Sequence, residues 1–373
     1  MNVLMLPWLA HGHISPFLEL AKKLSERNFH IYLCSTAINL KSIKKRITDK
    51  FSLSIELVEI HLPSFPELPP HHHTTNGLPL HLNSTLQKAF EMVSQDFSNI
   101  LKTLSPDLVI HDFNPSWAPS IASSYNIPAI LFMICGATVF SVTRHMINHD
   151  GGVEFPFPAI KLQGYHETQY RHFLENAKAS RDRQVAPVND QPSCNLVLFN
   201  TCDKKVVPVG PLIQGMINDE NEQSDIIQWL DNKGESSTVF VSDEIEETAN
   251  GLELSKVNFI WVARFPDGEK GELEKALPKG FIEKVRERGV VVEGWVPQAK
   301  ILAHSSIGGF VSHCGWNSVL ESLKFGVPII GIPMHLEQPF NAKLRHEWKT
   351  QQRRDSTGNK EGCGGEKWGG HKN

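Results

Sequence analysis

Short apolar runs rich in β-branched residues alternate with amphipathic helical patterns along most of this chain, and few folds accept that alternation. A strand, a helix and a second strand in series make a parallel pair with the helix lying on the sheet face. Val3–Leu6 reads as the first strand, followed in the first half by His30–Ser35, Ile55–Leu62, Asp107–His111 and Ile127–Ile134. The first helix is expected to open with Ser15 as N-cap and Pro16 in its first turn. Phe17, Leu20, Ala21 and Leu24 then recur at helical spacing and give it one buried face. Further helical patterns cover Thr85–Leu104 and Pro115–Tyr125. In the second half the strand candidates are Asn195–Phe199, Val206–Val209, Thr238–Ser242, Phe259–Ala263, Val290–Val292, Gly309–Ser312 and Pro328–Ile332. Between them lie helical patterns at Asp225–Leu230, Ile245–Leu254, Phe281–Arg288 and Trp316–Phe325. The expectation is α/β: two βα domains, each a parallel sheet covered on both faces, facing each other across a cleft.

The length of 373 residues is more than one core usually serves. Residues 1–180 and 181–347 are expected as the two domains, with a polar linker around Asn176–Gln191. Residues 348–373 contain no Leu, Ile, Val, Phe, Met or Ala and are expected to be a disordered, aberrant tail. Lys and Arg total 37 against 41 Asp and Glu, which leaves no basic surplus for nucleic acid or an anionic membrane. The six cysteines form no CxxC pair and read as reduced, scattered thiols. Met1–Leu4 lacks the positive flank of a signal peptide. The most apolar run, Ile127–Phe140, is too short to span a bilayer and is interrupted by Pro128 and Gly136. Together these features predict a cytoplasmic protein with no integral membrane association.

The densest set of polar and aromatic residues runs from Trp295 to Gln338. There a strand ending in His313-Cys314-Gly315 feeds a helix that begins at Trp316-Asn317-Ser318. The amino end of a helix offers unpaired N–H groups and a positive dipole end to a phosphate. His313, Asn317 and Ser318 supply side-chain donors beside it, and Glu321 lies one turn further on the same face, placed to clamp two sugar hydroxyls. Trp295 offers a flat face for a nucleobase. Taken singly each residue has a plainer reading: Asn317 or Ser318 as a helix cap, Trp295 as core, His313 as a buried histidine.

Taken jointly, the residues from Trp295 through His313-Cys314-Gly315-Trp316-Asn317-Ser318 and Glu321 to Glu337-Gln338 resemble the signature box of plant family 1 UDP-glycosyltransferases. The resemblance implies a GT-B fold of two facing Rossmann-like domains and an inverting, metal-independent transfer from a UDP-sugar, with no cofactor. It implies that Trp295 stacks on uracil, that the Val296 backbone bonds the uracil edge, and that Glu321, with Gln298 nearby, holds the ribose. It implies further that His313, Asn317 and Ser318 hold the diphosphate while Trp316, Glu337 and Gln338 contact the transferred sugar, UDP-glucose being the expected donor. In the N-terminal cluster Pro7–Pro16, His13 matches the family's catalytic base, an imidazole suited to taking a proton from an acceptor hydroxyl. His11 is the competing histidine. Asp112, at the end of a strand, matches the carboxylate that orients the base; the plainer reading caps the Pro115–Tyr125 helix.

The N-terminal residues 6–36 are similar to the branch that extends existing glycosides, the β-1,6-glucosyltransferase-like enzymes acting on glucosyl-crocetin and flavonoid glycosides. In that case the prolines, histidines and phenylalanines of Leu62–Leu82 help line the acceptor pocket, the acceptor being a flavonoid or terpenoid glycoside. His71-His72-His73 follows Pro69-Pro70 and reads as loop, with no metal site expected.

The chain departs from the family after Ser242, where Asp243, Glu244, Glu246 and Glu247 stand in place of a Gly- and Ser-bearing loop at the diphosphate. It departs again at Asn200–Val206, too short for a crossover helix between two strands, and in the tail, which replaces elements that brace the N-terminal domain. The C-terminal domain is therefore expected to be incomplete, by internal deletion and C-terminal truncation, with both halves folded and catalysis impaired. The alternative to a working transferase is thus a relative that binds UDP or glycoside without turnover. An NAD-dependent oxidoreductase is disfavoured, since no GxGxxG follows the first strand.

Overall fold

The computed structural model describes residues 1–149, 155–181, 197–199, 207–208, 212–213, 224–243, 246–263, 277–294 and 296–344. The chain builds two parallel sheets. The first holds β1 (Asn2–Leu6), β2 (His30–Ser35), β3 (Ile55–Glu59), β4 (Leu108–His111), β5 (Ala129–Met133), β6 (Val197–Phe199) and β7 (Val207–Pro208), in the order β3-β2-β1-β4-β5-β6-β7. The second holds β8 (Thr238–Asp243), β9 (Asn258–Ala263), β10 (Gly289–Glu293), β11 (Ile307–Ser312) and β12 (Ile329–Gly331), in the order β10-β9-β8-β11-β12. Each order reverses once, between β1 and β4 in the first sheet and between β8 and β11 in the second. At such a reversal the chain leaves neighbouring strands in opposite directions and opens a crevice at their carboxyl ends.

Both faces of each sheet are covered, as continuous apolar strands require. Val3 and Met5 pack with Ile14, Phe17 and Leu18 on one face of the first sheet. Leu4 and Leu6 pack with Leu86, Phe90 and Phe97 on the other. The second sheet repeats the arrangement, with Phe240, Ile260 and Phe310 against Leu230 and Ile301 on one side and Val241, Phe259 and Trp261 against Ala249, Phe281 and Val285 on the other.

The structure corrects several sequence expectations. The first helix spans His11–Ser25 with Ala10 as N-cap, so Ser15 is not a cap and Pro16 lies inside the helix. The Thr85–Leu104 pattern is two helices, Asn83–Glu91 and Ser94–Leu104. The first sheet continues past the expected boundary at residue 180, because β6 pairs with β5, and Leu198 and Leu212 pack into its core. Residues 182–191 of the expected linker, and residues 348–373, lie outside the described residues. β6 and β7 pair in parallel although only residues 200–206 join them. Their ladder is Leu198↔Val207 and Phe199↔Pro208, so at about 3.3 Å per strand residue the chain has little length to travel back.

The second lobe is braced on the first at its last described residues. Phe340 is buried among Val139, Val142, Ile160, Leu162 and Leu174. Its ring meets Tyr170 edge to face at 4.8 Å. This seam precedes the departing tail, so bracing of the first lobe does not wait on it. Among the described residues, no helix is long and apolar enough to cross a membrane.

β11 carries a register irregularity between Ile307 and Gly309. There a Cβ on Gly308 would sit 2.2 Å from the Ser236 carbonyl oxygen, a backbone atom that cannot swing away. Gly308→Ala is expected to destabilise the second lobe by about 1–3 kcal/mol. Urea unfolding followed by Trp fluorescence checks it, and an unchanged midpoint would remove this explanation for the glycine.

Candidate active site

At the first reversal, β1 leads through Trp8–Ala10 into the His11–Ser25 helix, which sets His13 in its first turn. β4 ends at His111 and delivers Asp112 beside it. The His13 Nδ1–Asp112 Oδ2 distance is 2.7 Å, with Asp112 fully buried and His13 partly exposed. The carboxylate is fixed by two further donors, the Trp8 N–H to Oδ2 at 3.1 Å and the Phe113 N–H to Oδ1 at 2.7 Å. An ionised carboxylate held in this way accepts from Nδ1–H, which leaves Nε2 as the basic nitrogen. The plainer reading of Asp112 does not hold: the following helix starts at Ala118 with Trp117 as its cap. His11 lies exposed at the helix terminus, and the hydrogen bond to Asp112 is made by His13.

The segment after β3 closes over this edge of the sheet. Leu62, Leu68, Leu78 and Leu82 are buried in the core, and the Thr75 N–H donates to the Leu9 carbonyl at 3.0 Å. Phe65, His72 and His73 are half-buried beside them. The His73 ring bonds the Leu68 carbonyl at 3.2 Å, while the His71 and His72 rings pack edge to face. Burial pulls the His72 and His73 imidazoles below the ordinary histidine range, so both favour the neutral form. Among the described residues, no three His, Cys, Asp or Glu side chains are grouped to hold a metal ion.

At the second reversal, β11 ends at Ser312 and the Trp316–Phe325 helix starts at Gly315, a residue with no side chain to cap it. The amino end of a helix presents N–H groups and a positive dipole end that suit an anion. The turn between them is strained. Cys314 has φ 64°, the left-handed region, which costs a residue with a Cβ about 1–2 kcal/mol. Two side chains hold it there: Asn341 Nδ2 donates to the Cys314 carbonyl at 3.0 Å, and Ser312 Oγ accepts the Cys314 N–H at 3.2 Å. The His313 ring folds back against Gly315, where a Cβ would lie 2.6 Å from Nε2.

Glu321, Gln298 and Ser318 meet as the sequence placed them. Gln298 Nε2 donates to Glu321 Oε2 at 2.7 Å and to Ser318 Oγ at 3.4 Å. Burial pushes the Glu321 carboxyl above its ordinary range, partly offset by Gln298 and Arg46. Val296 buries its side chain, and its carbonyl accepts from the Gln298 amide at 2.8 Å. Trp295 lies outside the described residues. Gln338 turns its Oε1 inward to accept from the Met334 and His335 amides at 2.9 and 3.1 Å. A sugar hydroxyl can meet only its Nε2. Burial also raises the Glu337 carboxyl, with His13 from the opposite lobe among the charges that oppose the rise.

The two edges face each other. The Trp316 indole is buried against the first lobe, where a Cβ on Gly136 would sit 3.1 Å from it. Asn317 Nδ2 donates to the Gly12 carbonyl at 3.0 Å. Deeper in the seam, Arg46 is buried against Ser15 Oγ at 2.9 Å and Glu19 Oε1 at 3.2 Å, within electrostatic reach of Glu321. Sequence reasoning missed Arg46, Glu19 and Asn341, because nothing in their spacing marks them. Gly12 and Pro16 lay within the quoted motif, but their cross-lobe geometry was not legible. β8, paired with β11 through Ser242↔Ser312, brings the acidic departure to this same edge. Of that departure Glu244 and Ile245, and the side chains of residues 243–247, lie outside the described residues.

Residues 236–354 match the family described as UDP-glucoronosyl and UDP-glucosyl transferase, and residues 1–208 match the glycosyltransferase N-terminal domain. The β-D-glucosyl crocetin β-1,6-glucosyltransferase of Gardenia jasminoides is 48% identical over 91% of this chain and 83% of its own. The mogroside IIIx synthase of Siraitia grosvenorii is 51% identical over 93% of this chain and 79% of its own. Medicago truncatula UGT71G1, solved in complex with UDP-glucose, superposes with a TM-score of 0.70 at 26% identity, covering 93% of this chain and 83% of that one. With both sheets reversing at the edges that carry these side chains and relatives matched through both halves, the chain belongs to the plant UDP-glycosyltransferases of GT-B fold.

Proposed function

We propose that this UDP-glycosyltransferase moves glucose, or a related hexose, from its UDP-sugar onto a hydroxyl of a small plant metabolite or its glycoside. His13 is the base and Asp112 its orienting partner. The observation that carries the reading is the 2.7 Å His13–Asp112 pair, one residue from the Gly12 carbonyl that bonds Asn317 at the amino end of the Trp316 helix. Nε2 of His13 takes the proton of the acceptor hydroxyl, and the oxygen attacks the anomeric carbon from the side opposite UDP. The bond from that carbon to the diphosphate oxygen breaks with its electrons leaving on UDP, so the configuration inverts. The charge that develops on the leaving diphosphate is met by the helix amino end together with His313, Asn317 and Ser318. In this reading no metal and no cofactor takes part.

Glu321 with Gln298 holds the ribose, Trp295 and the Val296 N–H hold uracil, and Trp316, Glu337 and Gln338 border the sugar. The preference for a glycoside acceptor is supported by the similarity to enzymes named for acting on glycosides, among them the β-D-glucosyl crocetin and flavanone 7-O-glucoside transferases. A flavonoid or terpenoid glycoside is the acceptor class proposed. A cytoplasmic location is supported by Cys34 and Cys135, which form no disulfide among the described residues. The alternative of binding without turnover, expected from the sequence departures, is not favoured: the base and its carboxylate are assembled, and the relatives match both halves.

UDP-glucose consumption with a panel of flavonoid and terpenoid glycosides tests the proposal directly, and no product with any of them would overturn it. His13→Ala is expected to abolish transfer while leaving UDP affinity within about twofold. Asp112→Asn is expected to cost about 10³–10⁴ in kcat, because the imidazole loses its tautomer and orientation. Retained transfer in either variant, measured by product chromatography, would displace these residues from their roles.

Glu321 gives a pH test. Its raised carboxyl pKa means that the folded protein keeps a proton which the unfolded chain has already released. Stability therefore falls as pH rises from the ordinary carboxylate range through the raised value. Glu321→Gln is expected to unfold at a higher temperature than the parent at neutral pH and to lose that advantage near pH 4, about the ordinary glutamate value. It is also expected to bind UDP about tenfold more weakly, since a ribose hydroxyl loses a charged acceptor. Calorimetric melts across pH and UDP titration check both effects.

A further inference from the structure

The His11–Ser25 helix contains Pro16 in its second turn, where a proline ordinarily disrupts a helix. In an α-helix the amide of residue 16 donates to the carbonyl of residue 12. Pro16 has no N–H, so the Gly12 carbonyl is left without that donor. The Gly12 carbonyl accepts instead from Asn317 Nδ2, at 3.0 Å, on the first turn of the helix in the opposite lobe. Gly12 adjoins His13, and Asn317 adjoins Trp316. One hydrogen bond thus ties the helix that carries the base to the helix whose amino end suits the diphosphate.

We infer that Pro16 is a positioning residue for the transfer reaction: by withholding an amide hydrogen it keeps the Gly12 carbonyl open for Asn317, and so sets the distance between His13 and the bound sugar donor. The inference rests on the proposed roles of His13 and the Trp316 helix and deepens them. The Asn317 amide carries two hydrogens, so one N–H holds Gly12 while the other remains for a phosphate oxygen. Its Oδ1 is buried and has no hydrogen-bond partner among the described residues, which leaves the donor end as the working end of this side chain. Deeper in the same seam the Arg46 guanidinium bonds Ser15 and Glu19 of the first helix and lies within reach of Glu321 of the second. The two helices are therefore registered at two levels, and Pro16 governs the level nearer the reacting atoms.

Pro16→Ala supplies the missing amide and lets the helix close on itself. The variant is expected to fold with equal or higher thermal stability, since alanine favours a helix interior over proline. Its kcat is expected to fall about tenfold or more, because a small misplacement of reacting groups is costly. UDP affinity and KM for the UDP-sugar should stay within about twofold. The control is an ester at the same position, lactic acid in place of alanine, which has the same methyl side chain and no N–H; it should restore the parent kcat. In an Asn317→Ala background, Pro16→Ala should slow transfer no further. Parent-like kcat in Pro16→Ala would overturn the inference, as would an ester as slow as the alanine variant, or an equal slowing in the Asn317→Ala background. A readout independent of turnover is the distance between spin labels placed one in each lobe. That distribution should broaden in Pro16→Ala and narrow again in the ester, and an unchanged distribution counts against the clasp even if no acceptor is ever found. Loss of transfer in the parent would count against the proposed function alone.

Discussion

Two helix amino ends facing one another are the constraint on which this molecule depends. Each parallel sheet reverses its strand order once, and each reversal leaves a helix starting at the carboxyl edge: His11–Ser25 in the first lobe and Trp316–Phe325 in the second. Two positive dipole ends brought together repel, and neither helix has an acidic residue in its first turn to soften the meeting. Small devices hold the lobes together: the Asn317 amide on the Gly12 carbonyl, the Trp316 ring on Gly136, and Phe340 in the first lobe's core. A diphosphate between the two ends converts that repulsion into attraction. Affinity for a doubly charged leaving group is thus a consequence of the architecture before any side chain is considered.

The side chains then divide the labour by burial. Asp112 is fully buried yet has three donors, which fix its orientation beside the base. Glu321 and Glu337 are buried with weaker compensation, and their carboxyls are pushed up. Such groups gain from a ligand that brings hydroxyl donors into the cleft, because a hydrogen bond to the ionised form repays part of the desolvation. Arg46 is the reverse case, a buried cation with Nε and Nη1 unsatisfied among the described residues and two carboxylates within reach. A charge that costs so much to bury earns its place only where register between elements matters, and it lies at the seam between the lobes.

The fold was legible because its signal is repeated. Strand candidates such as His30–Ser35 and the Trp316–Phe325 helix coincide with the structure, since burial on both faces forces long apolar runs. The family resemblance, more than spacing, singles out the residues that the fold brings together: Gln298 bonds Ser318 and Glu321, and His13 bonds Asp112. What could not be read was whatever depends on two distant segments at once. Ser15-Pro16 has the chemistry of a helix start, which puts the expected start of the first helix five residues late, and only the opposite lobe shows why a proline is tolerated inside. Arg46, Glu19 and Asn341 likewise have no local signal, and the expected domain boundary falls short because Asn195–Phe199 and Val206–Val209 read as strands while nothing local marks them as members of the first sheet.

The turn at Cys314 shows how local strain and remote packing combine. A left-handed residue with a side chain persists only where its surroundings overdetermine it. Here Asn341 holds its carbonyl, Ser312 holds its amide, and Gly331 lacks the Cβ that would sit 2.8 Å from the Cys314 sulfur. Asn341 is itself one residue from Phe340, which is anchored in the first lobe. The conformation that points the helix amino end into the cleft is therefore secured by the same short segment that joins the lobes. Docking of the second lobe and the shape of its phosphate turn thus draw on adjacent residues, Phe340 and Asn341.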